Sequence, residues 1–339
     1  HLHAQGLKEC KNADLVAASG RNKERTDAFA AKYQVDAYTD TGKMIIDSAL
    51  DFVIICTPHP NHLEPVLEAL DNGAHVLIEK PMASSLADCD KMIQKAAEKG
   101  LEIGIISQRR YYEQVKRVKR AIDQGKIGTP MLATVQMLGW RDEAYYRSDP
   151  WRGSWEYEGG GVMVNQAPHQ LDLLHWFMGP VKEVFGYWGN INHPYIEVED
   201  TAVAVVKFMN GGMATLLMSN SQKPGIYGKV HVHGSNGASV GVQTESGAMF
   251  IAGMVPLSQP PLVDLWTVPG EEHMITEWEK EDREYFSAVD AASHYVGLQI
   301  QDFTLSIIEG RKPLVDGEQG RRTVELFTAI YRSQRDGQP

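Results

Sequence analysis

The first hundred residues alternate between short unbroken apolar runs and longer amphipathic stretches. Runs of strand length stand at 15–18, 52–56, 75–78 and 103–106, and stretches of helical length at 22–33, 61–72 and 84–99. Phe52, Val53, Ile54 and Ile55 follow one another without polar alternation, which suits a strand buried on both faces of a parallel sheet. Gly73 and Gly100 close two helical stretches, where a residue tolerant of positive φ is wanted. Strand, helix, strand in repetition predicts right-handed βαβ units and a doubly wound α/β domain.

The rhythm changes after about residue 125. Residues 201–208 and 213–219 are β-rich runs joined by Asn210-Gly211-Gly212, a hairpin signal. Residues 229–233 and 238–242 form a second pair around Ser235-Asn236-Gly237. Strands in succession without intervening helices predict an α+β domain with a largely antiparallel open sheet. Helical patterns return at 166–177, 277–293 and 320–332, and 258–261 reads as a proline-rich loop. The expected domains are 1–108, 109–319, and a C-terminal helix at 320–339 that packs back on the first domain.

A length of 339 residues agrees with two domains, at roughly 100–200 residues each. Hydrophobic residues at 43% and charged residues at 23% exclude a largely disordered chain. With 33 basic against 44 acidic side chains the net charge is −11, which argues against a nucleic-acid partner. No apolar run approaches the roughly 18 residues of a membrane span. Cys10, Cys56 and Cys89 fit no zinc spacing and read as reduced thiols of a cytoplasmic protein. The pairs His59/His62 and His231/His233 lack further ligands, so no metal is expected. The chain opens inside a helical pattern, at His1-Leu2-His3-Ala4, without an initiator Met or a signal-peptide pattern. Residues are expected to precede His1, with a cleaved targeting segment as the alternative cause.

Ligands of open parallel sheets sit beyond the carboxyl ends of the strands. Those ends carry Ser19-Gly20-Arg21, Thr57-Pro58-His59-Pro60, Glu79-Lys80-Pro81 and Ser107-Gln108-Arg109. Four polar ends after apolar strands point to a dinucleotide. Lys80 is the most informative: an ammonium at a sheet edge can hydrogen-bond a substrate hydroxyl and stabilise alkoxide character as hydride leaves. A cis bond at Pro81 is one way to fix where it points. At the first end no Asp or Glu stands within 17–23, while Ser19, Arg21 and Lys23 do, which favours NADP over NAD.

The second signal is Gly159-Gly160-Gly161, which lets the backbone approach a ligand or another segment closely. It leads into Asn165-Gln166-Ala167-Pro168-His169, with Asp172 three residues further on the same helix face. A histidine titrates near operating pH and can accept a hydroxyl proton while hydride leaves the same carbon. Asp172 can orient that imidazole or bind a sugar hydroxyl. Trp151-Arg152-Gly153 offers an aromatic plane and a guanidinium to a sugar face or a phosphate. The loops 141–149 and 254–266 are expected to shape specificity.

Glu79-Lys80-Pro81, the stretch 159–172 and Thr57-Pro58-(x)3-His62 together resemble the glucose–fructose oxidoreductase/inositol dehydrogenase (Gfo/Idh/MocA) family over nearly the whole chain. The resemblance implies a Rossmann domain, then an α/β domain whose open sheet commonly forms dimer or tetramer contacts. It implies reversible oxidation of a sugar, glycoside or cyclitol hydroxyl by a nicotinamide. Lys80 and His169 match the catalytic pair, and Asp172 a substrate-contacting carboxylate, with Asn165, Gln166, Trp151 and Arg152 beside it. Cofactor contacts fall to Ser19, Gly20, Arg21, Thr57, Pro58, His59, His62, Glu79, Lys80, Pro81 and Gln108. Two departures stand out. The family's first strand and glycine-rich phosphate loop, expected before the helix containing His3, do not occur in this sequence. Asn165 stands where many relatives carry Asp, so proton transfer leans on His169. Alternatives left open are glycoside cleavage or elimination with a recycled cofactor, and a non-catalytic dinucleotide- or sugar-binding protein.

Overall fold

A computed structural model describes residues 1–223, 225–246 and 259–339, with the side chains of 245 and 246 outside the description. The chain divides into two units, His1–Gln108 with Ser293–Arg321, and Arg109–Ala292 with Arg322–Pro339. The proline-rich loop and the loop at 254–266 fall partly outside the described residues.

In the first unit, strands and helices alternate: α1 (Leu2–Glu9), β1 (Ala17–Ser19), α2 (Lys23–Tyr33), β2 (Asp36–Tyr38), α3 (Thr41–Asp47), β3 (Phe52–Ile55), α4 (Leu63–Asp71), β4 (His75–Ile78), α5 (Leu86–Lys99) and β5 (Ile103–Ile105). The helices start on side chains that satisfy free N–H groups: Asn22 accepts from Arg25 N, Asp40 from Lys43 N and Ser85 from Asp88 N. Gly100, at φ +68°, stops α5. All strand pairs here are parallel, in two groups, β1-β2 and β3-β4-β5.

The second unit contains α6 (Glu113–Asp123), β6 (Pro130–Leu138), α7 (Glu143–Arg147), α8 (Val162–Asn165), α9 (Pro168–Met178), β7 (Val181–Gly189), β8 (Thr201–Phe208), β9 (Met213–Ser219), β10 (Tyr227–Gly234), β11 (Ser239–Ser246), β12 (Leu262–Trp266) and α10 (Met274–Ser287). Seven strands make one sheet in the order β12-β11-β10-β6-β9-β8-β7, antiparallel except where β6 runs parallel to β9. In β8, Ala202, Ala204, Val206 and Phe208 are buried while Val203 and Val205 are exposed, so one face carries the core. Among the described residues no helix is long and apolar enough to cross a membrane.

Two boundaries differ from the sequence reading. The helix α11 (His294–Glu309) belongs to the first unit, where Val296, Ile300 and Phe303 join Leu7, Leu77 and Ile106 in one buried cluster. Gly6 and Gly297 permit that packing, since a Cβ on Gly6 stands only 3.0 Å from Gly297 N. The last helix, α12 (Gly317–Asp336), lies with the first unit only as far as Arg321. From Arg322 on it packs against β7, where Gly186 N donates to Ser333 Oγ at 3.1 Å and Trp188 N to Gln334 Oε1 at 2.6 Å.

Two of the three glycines make room for protein. A Cβ on Gly161 falls 1.8 Å from Glu199 O, and one on Gly160 (φ +151°) falls 2.3 Å from Tyr331 Oη. The Glu199 carboxylate accepts from Gly161 N at 2.8 Å and Met163 N at 3.0 Å, and its backbone carbonyl accepts from Val162 N at 3.1 Å. Glu199 is fully buried, and burial pushes its carboxyl up to about 7 against the pull of these amides. Its pKa in the folded chain thus lies above the ordinary 4.5, so the native state holds a proton that the unfolded state has released between about pH 4.5 and 7. Stability from this group falls as pH rises through that window. Denaturant titrations from pH 5 to 7.5 should show a steeper loss of stability in the wild-type chain than in Glu199→Gln, by up to ~1.4 kcal/mol per pH unit. Equal slopes contradict the assignment.

Candidate active site

The strand ends of the first unit are polar and tightly built. At the end of β1, Thr41 Oγ1 donates to Ser19 Oγ at 3.4 Å, and Gly20 leaves space for Thr26, whose Oγ1 is 2.6 Å from where a Cβ would sit. Arg21 is exposed, and Lys23 is committed to Asp27 at 2.7 Å. After β3, Thr57 Oγ1 donates to Asn61 O at 3.1 Å, and Pro58 leads into a 3-10 turn opened by the buried His59. His62 departs from the expectation of a cofactor contact. It is completely buried, with Nδ1 3.1 Å from Met82 O and Nε2 2.8 Å from Thr57 O. The ring thus lies between the Thr57 loop and the segment after Pro81, its one N–H donating to one of these carbonyls while burial lowers its pKa.

After β4, Glu79 accepts from His3 Nε2 at 2.7 Å and from Lys80 N at 3.0 Å. Burial alone raises a carboxyl, but the His3 hydrogen bond and charge, with Lys80, outweigh it and hold Glu79 below its usual range. Burial likewise opposes the His3 imidazolium, yet Cys56 and Glu79 together raise it to about 10. The Lys80–Pro81 peptide is cis. At the end of β5, Gln108 Oε1 is buried with no hydrogen-bond partner among the described residues. A buried acceptor with nothing to accept from is what a sheet end prepared for a polar cofactor leaves. The residues present therefore fit a dinucleotide, which Gln108 and the segments at Ser19–Arg21, Thr57-Pro58 and Glu79-Lys80-Pro81 would hold.

In the second unit, the glycines held by Glu199 open α8 and lead through Gln166 into α9. Tyr145, from α7, gathers the neighbouring polar side chains. Its hydroxyl accepts from Arg152 Nη1 at 2.6 Å, Gln166 Nε2 at 3.1 Å and Asn165 Nδ2 at 3.2 Å. Asn165 Nδ2 also donates to the buried Glu158, and Gln166 Oε1 accepts from Asn220 Nδ2 at 2.9 Å. The Arg152 guanidinium stacks on Trp151, 4.5 Å from the ring centroid. Asn165, Gln166, Trp151 and Arg152 therefore form one cluster around Tyr145.

His169 is buried in the first turn of α9. Asp172, one turn on, is engaged with a partner that the sequence did not reveal. Arg110 Nε and Nη2 donate to its two oxygens at 2.8 and 2.6 Å in a buried fork, with the guanidinium 4.9 Å from the centre of Trp176. The first task of Asp172 is thus to anchor α9. Tyr145, Glu158, Glu199, Arg110 and Asn220 all escaped sequence reasoning; the tandem Tyr145-Tyr146 beside the Trp151-Arg152 stretch is the one local sign of the cluster. Among the described residues no group of three or more His, Cys, Asp or Glu side chains could hold a metal ion, and His231 pairs with Asp264 at 2.9 Å.

Residues 1–106 match the oxidoreductase family with an NAD-binding Rossmann fold, GFO/IDH/MocA, and residues 115–240 match the GFO/IDH/MocA C-terminal domain. The chain is 27% identical to myo-inositol 2-dehydrogenase of Thermotoga maritima, over 98% of its length and 92% of the relative's. It is 23% identical to an NAD(+) scyllo-inositol 2-dehydrogenase of Bacillus subtilis, over 100% of its length and 92% of that protein's. Among solved structures, the WlbA dehydrogenase of Bordetella pertussis, in complex with NADH and UDP-GlcNAcA, superposes with a TM-score of 0.86 at 28% identity, covering 99% of this chain and 92% of that one. With matched segments spanning both units, the chain belongs to the GFO/IDH/MocA family of NAD-binding oxidoreductases.

Proposed function

We propose that the chain is an NAD(P)-dependent dehydrogenase or reductase that interconverts a secondary hydroxyl and a ketone on a sugar, glycoside or cyclitol. The reading is carried by the buried His169, three residues after Gln166, in a chain whose parallel sheet has a strand ending in Glu79-Lys80-Pro81. In it the Lys80 ammonium donates to the reacting oxygen, and His169 takes that oxygen's proton as the carbonyl forms. A bound nicotinamide supplies the acceptor for the hydride. Asn165 and Gln166 orient the substrate from the Tyr145 cluster, and the Arg110–Asp172 fork keeps α9 from shifting. Similarity to two inositol dehydrogenases and to a dehydrogenase solved in complex with NADH and UDP-GlcNAcA supports the substrate class.

On any hexose, glycoside or inositol that the wild-type chain oxidises, His169→Ala and Lys80→Met should each lower kcat by at least ~10²-fold, followed by nicotinamide absorbance. Retention of near-normal rates by both variants overturns the roles.

For the cofactor we propose NADP, with NAD as the alternative. The exposed Arg21 and the lack of an acid at 17–23 support a 2′-phosphate. Arg21→Ala should raise KM for NADP+ about tenfold and leave KM for NAD+ unchanged; equal effects on both contradict the choice.

For assembly we propose a homodimer or homotetramer through the sheet of the second unit. Its outward face exposes Tyr187, Val203, Val205, Met213 and Leu217, an apolar group of the kind that marks interaction surfaces. Light scattering should give a multiple of the 37.7 kDa chain mass, reduced by the pair Val205→Lys and Met213→Glu. A monomeric wild type contradicts it.

A further inference from the structure

We propose that Arg141 and Arg152 recognise an anionic group on the substrate, a carboxylate or a phosphate, so that the sugar or cyclitol taken by this chain is acidic. The inference rests on the dehydrogenase reading and narrows its substrate class.

Two cations share one aromatic ring. The Arg152 guanidinium lies 4.4 Å from the Tyr145 centroid and that of Arg141 5.2 Å from it. Arg141 is 4% exposed. Arg152 is partly buried. Two cations on one ring repel, and the arrangement persists at least cost when an anion completes it. Arg152 forms an ion pair with Asp149, but it is long at 3.4 Å and the acid is half exposed. Arg152 Nε is buried and accepted by no hydrogen-bond partner among the described residues. Burial lowers the Arg141 pKa and Arg152 pushes the same way, against the nearby phenols of Tyr145 and Tyr146; an anion beside the pair opposes both effects.

The fold commits a buried framework to holding Arg141. Its carbonyl faces His193 Nε2 at 2.7 Å, and His193 Nδ1 faces Asp200 at 2.7 Å, with both side chains fully buried. Asp200 also accepts from Ile191 N at 3.0 Å and Asn192 N at 2.7 Å, while Arg141 N donates to Asn220 O at 3.1 Å. An Asp–His chain ending on one loop carbonyl is a costly way to fix a loop, and it suits a guanidinium that must be aimed before its ligand arrives. Planar forks of this kind match the oxygen spacing of carboxylates and phosphates. A second nearby acid, Glu158, accepts from Gly153 N at 2.5 Å and from Asn165. Through Tyr145 the two arginines are continuous with Asn165 and Gln166, one turn before His169. The anion and the carbon being oxidised therefore belong to one small molecule.

The test is calorimetric binding of glucose, glucuronate and glucose 6-phosphate to the full chain saturated with NADH, at low ionic strength. At least one anion should bind about tenfold more tightly than glucose, and the two anionic arms separate a carboxylate from a phosphate. Arg141→Gln and Arg152→Gln should each remove that advantage and leave NADH affinity unchanged, with Arg141→Lys retaining part of it. If Arg141→Gln fails to fold, Arg152→Gln carries the comparison. Equal binding of the three probes, no binding by either anion, or an advantage that survives Arg152→Gln overturns the inference. The readout needs no turnover: anion preference without nicotinamide reduction sinks the dehydrogenase reading alone, and reduction by neutral sugars without anion preference sinks this inference alone.

Discussion

A buried carboxylate against two backbone amides is the contact on which the second unit's chemistry depends. Glu199 reaches Gly161 N and Met163 N, its carbonyl takes Val162 N, and no side chain other than hydrogen fits at Gly161. The chain direction at the start of α8 follows from that contact. Asn165, Gln166 and His169 come next along one short path, so a shift of the glycines displaces all three. The Arg110–Asp172 fork secures the same helix one turn later. Between them, a buried carboxyl group and a buried ion pair give the Asn165–His169 stretch the rigidity that the role proposed for His169 requires.

The first unit solves a different problem with similar means. Its sheet ends are irregular backbone, and irregular backbone must find partners of its own. His62 is wedged between carbonyls of the loops after β3 and β4, and Glu79 ties α1 to the Lys80 amide. Among the described residues, what these internal ties leave over is an exposed Arg21 and an orphaned Gln108 Oε1. In the second unit the guanidinium groups of Arg141 and Arg152 both lie over the ring of Tyr145.

Much of the architecture was readable from residue order because its signals are local. The hairpin Thr201–Phe208 and Met213–Ser219 alternates cleanly and is joined by an Asn-Gly-Gly turn, and His75–Ile78 is an unbroken apolar run. β2 and α3 escaped notice because Asp36-Ala37-Tyr38 has no apolar run and seven residues make too short a helical pattern. The membership of α11 in the first unit depends on Gly6 meeting Gly297, nearly the whole chain apart, and no local pattern announces such a pairing. At the site, Glu79-Lys80-Pro81 and the His169/Asp172 spacing were visible as motifs. Their partners were not: Arg110 lies 62 residues before Asp172, and Glu199 lies 38 residues after Gly161. His62 shows the converse, a motif residue with the right spacing whose polar atoms are spent on the fold.

Amide hydrogen exchange at Gly161 and Met163 tests the central contact most directly. If Glu199 holds these two N–H groups as described, both should exchange as slowly as interior amides of β8, such as that of Ala204, because only a large-scale opening frees them. Exchange at the rate of an open turn, such as Ser235-Asn236-Gly237, would mean that Glu199 does not anchor the glycines and that the start of α8 is free to shift.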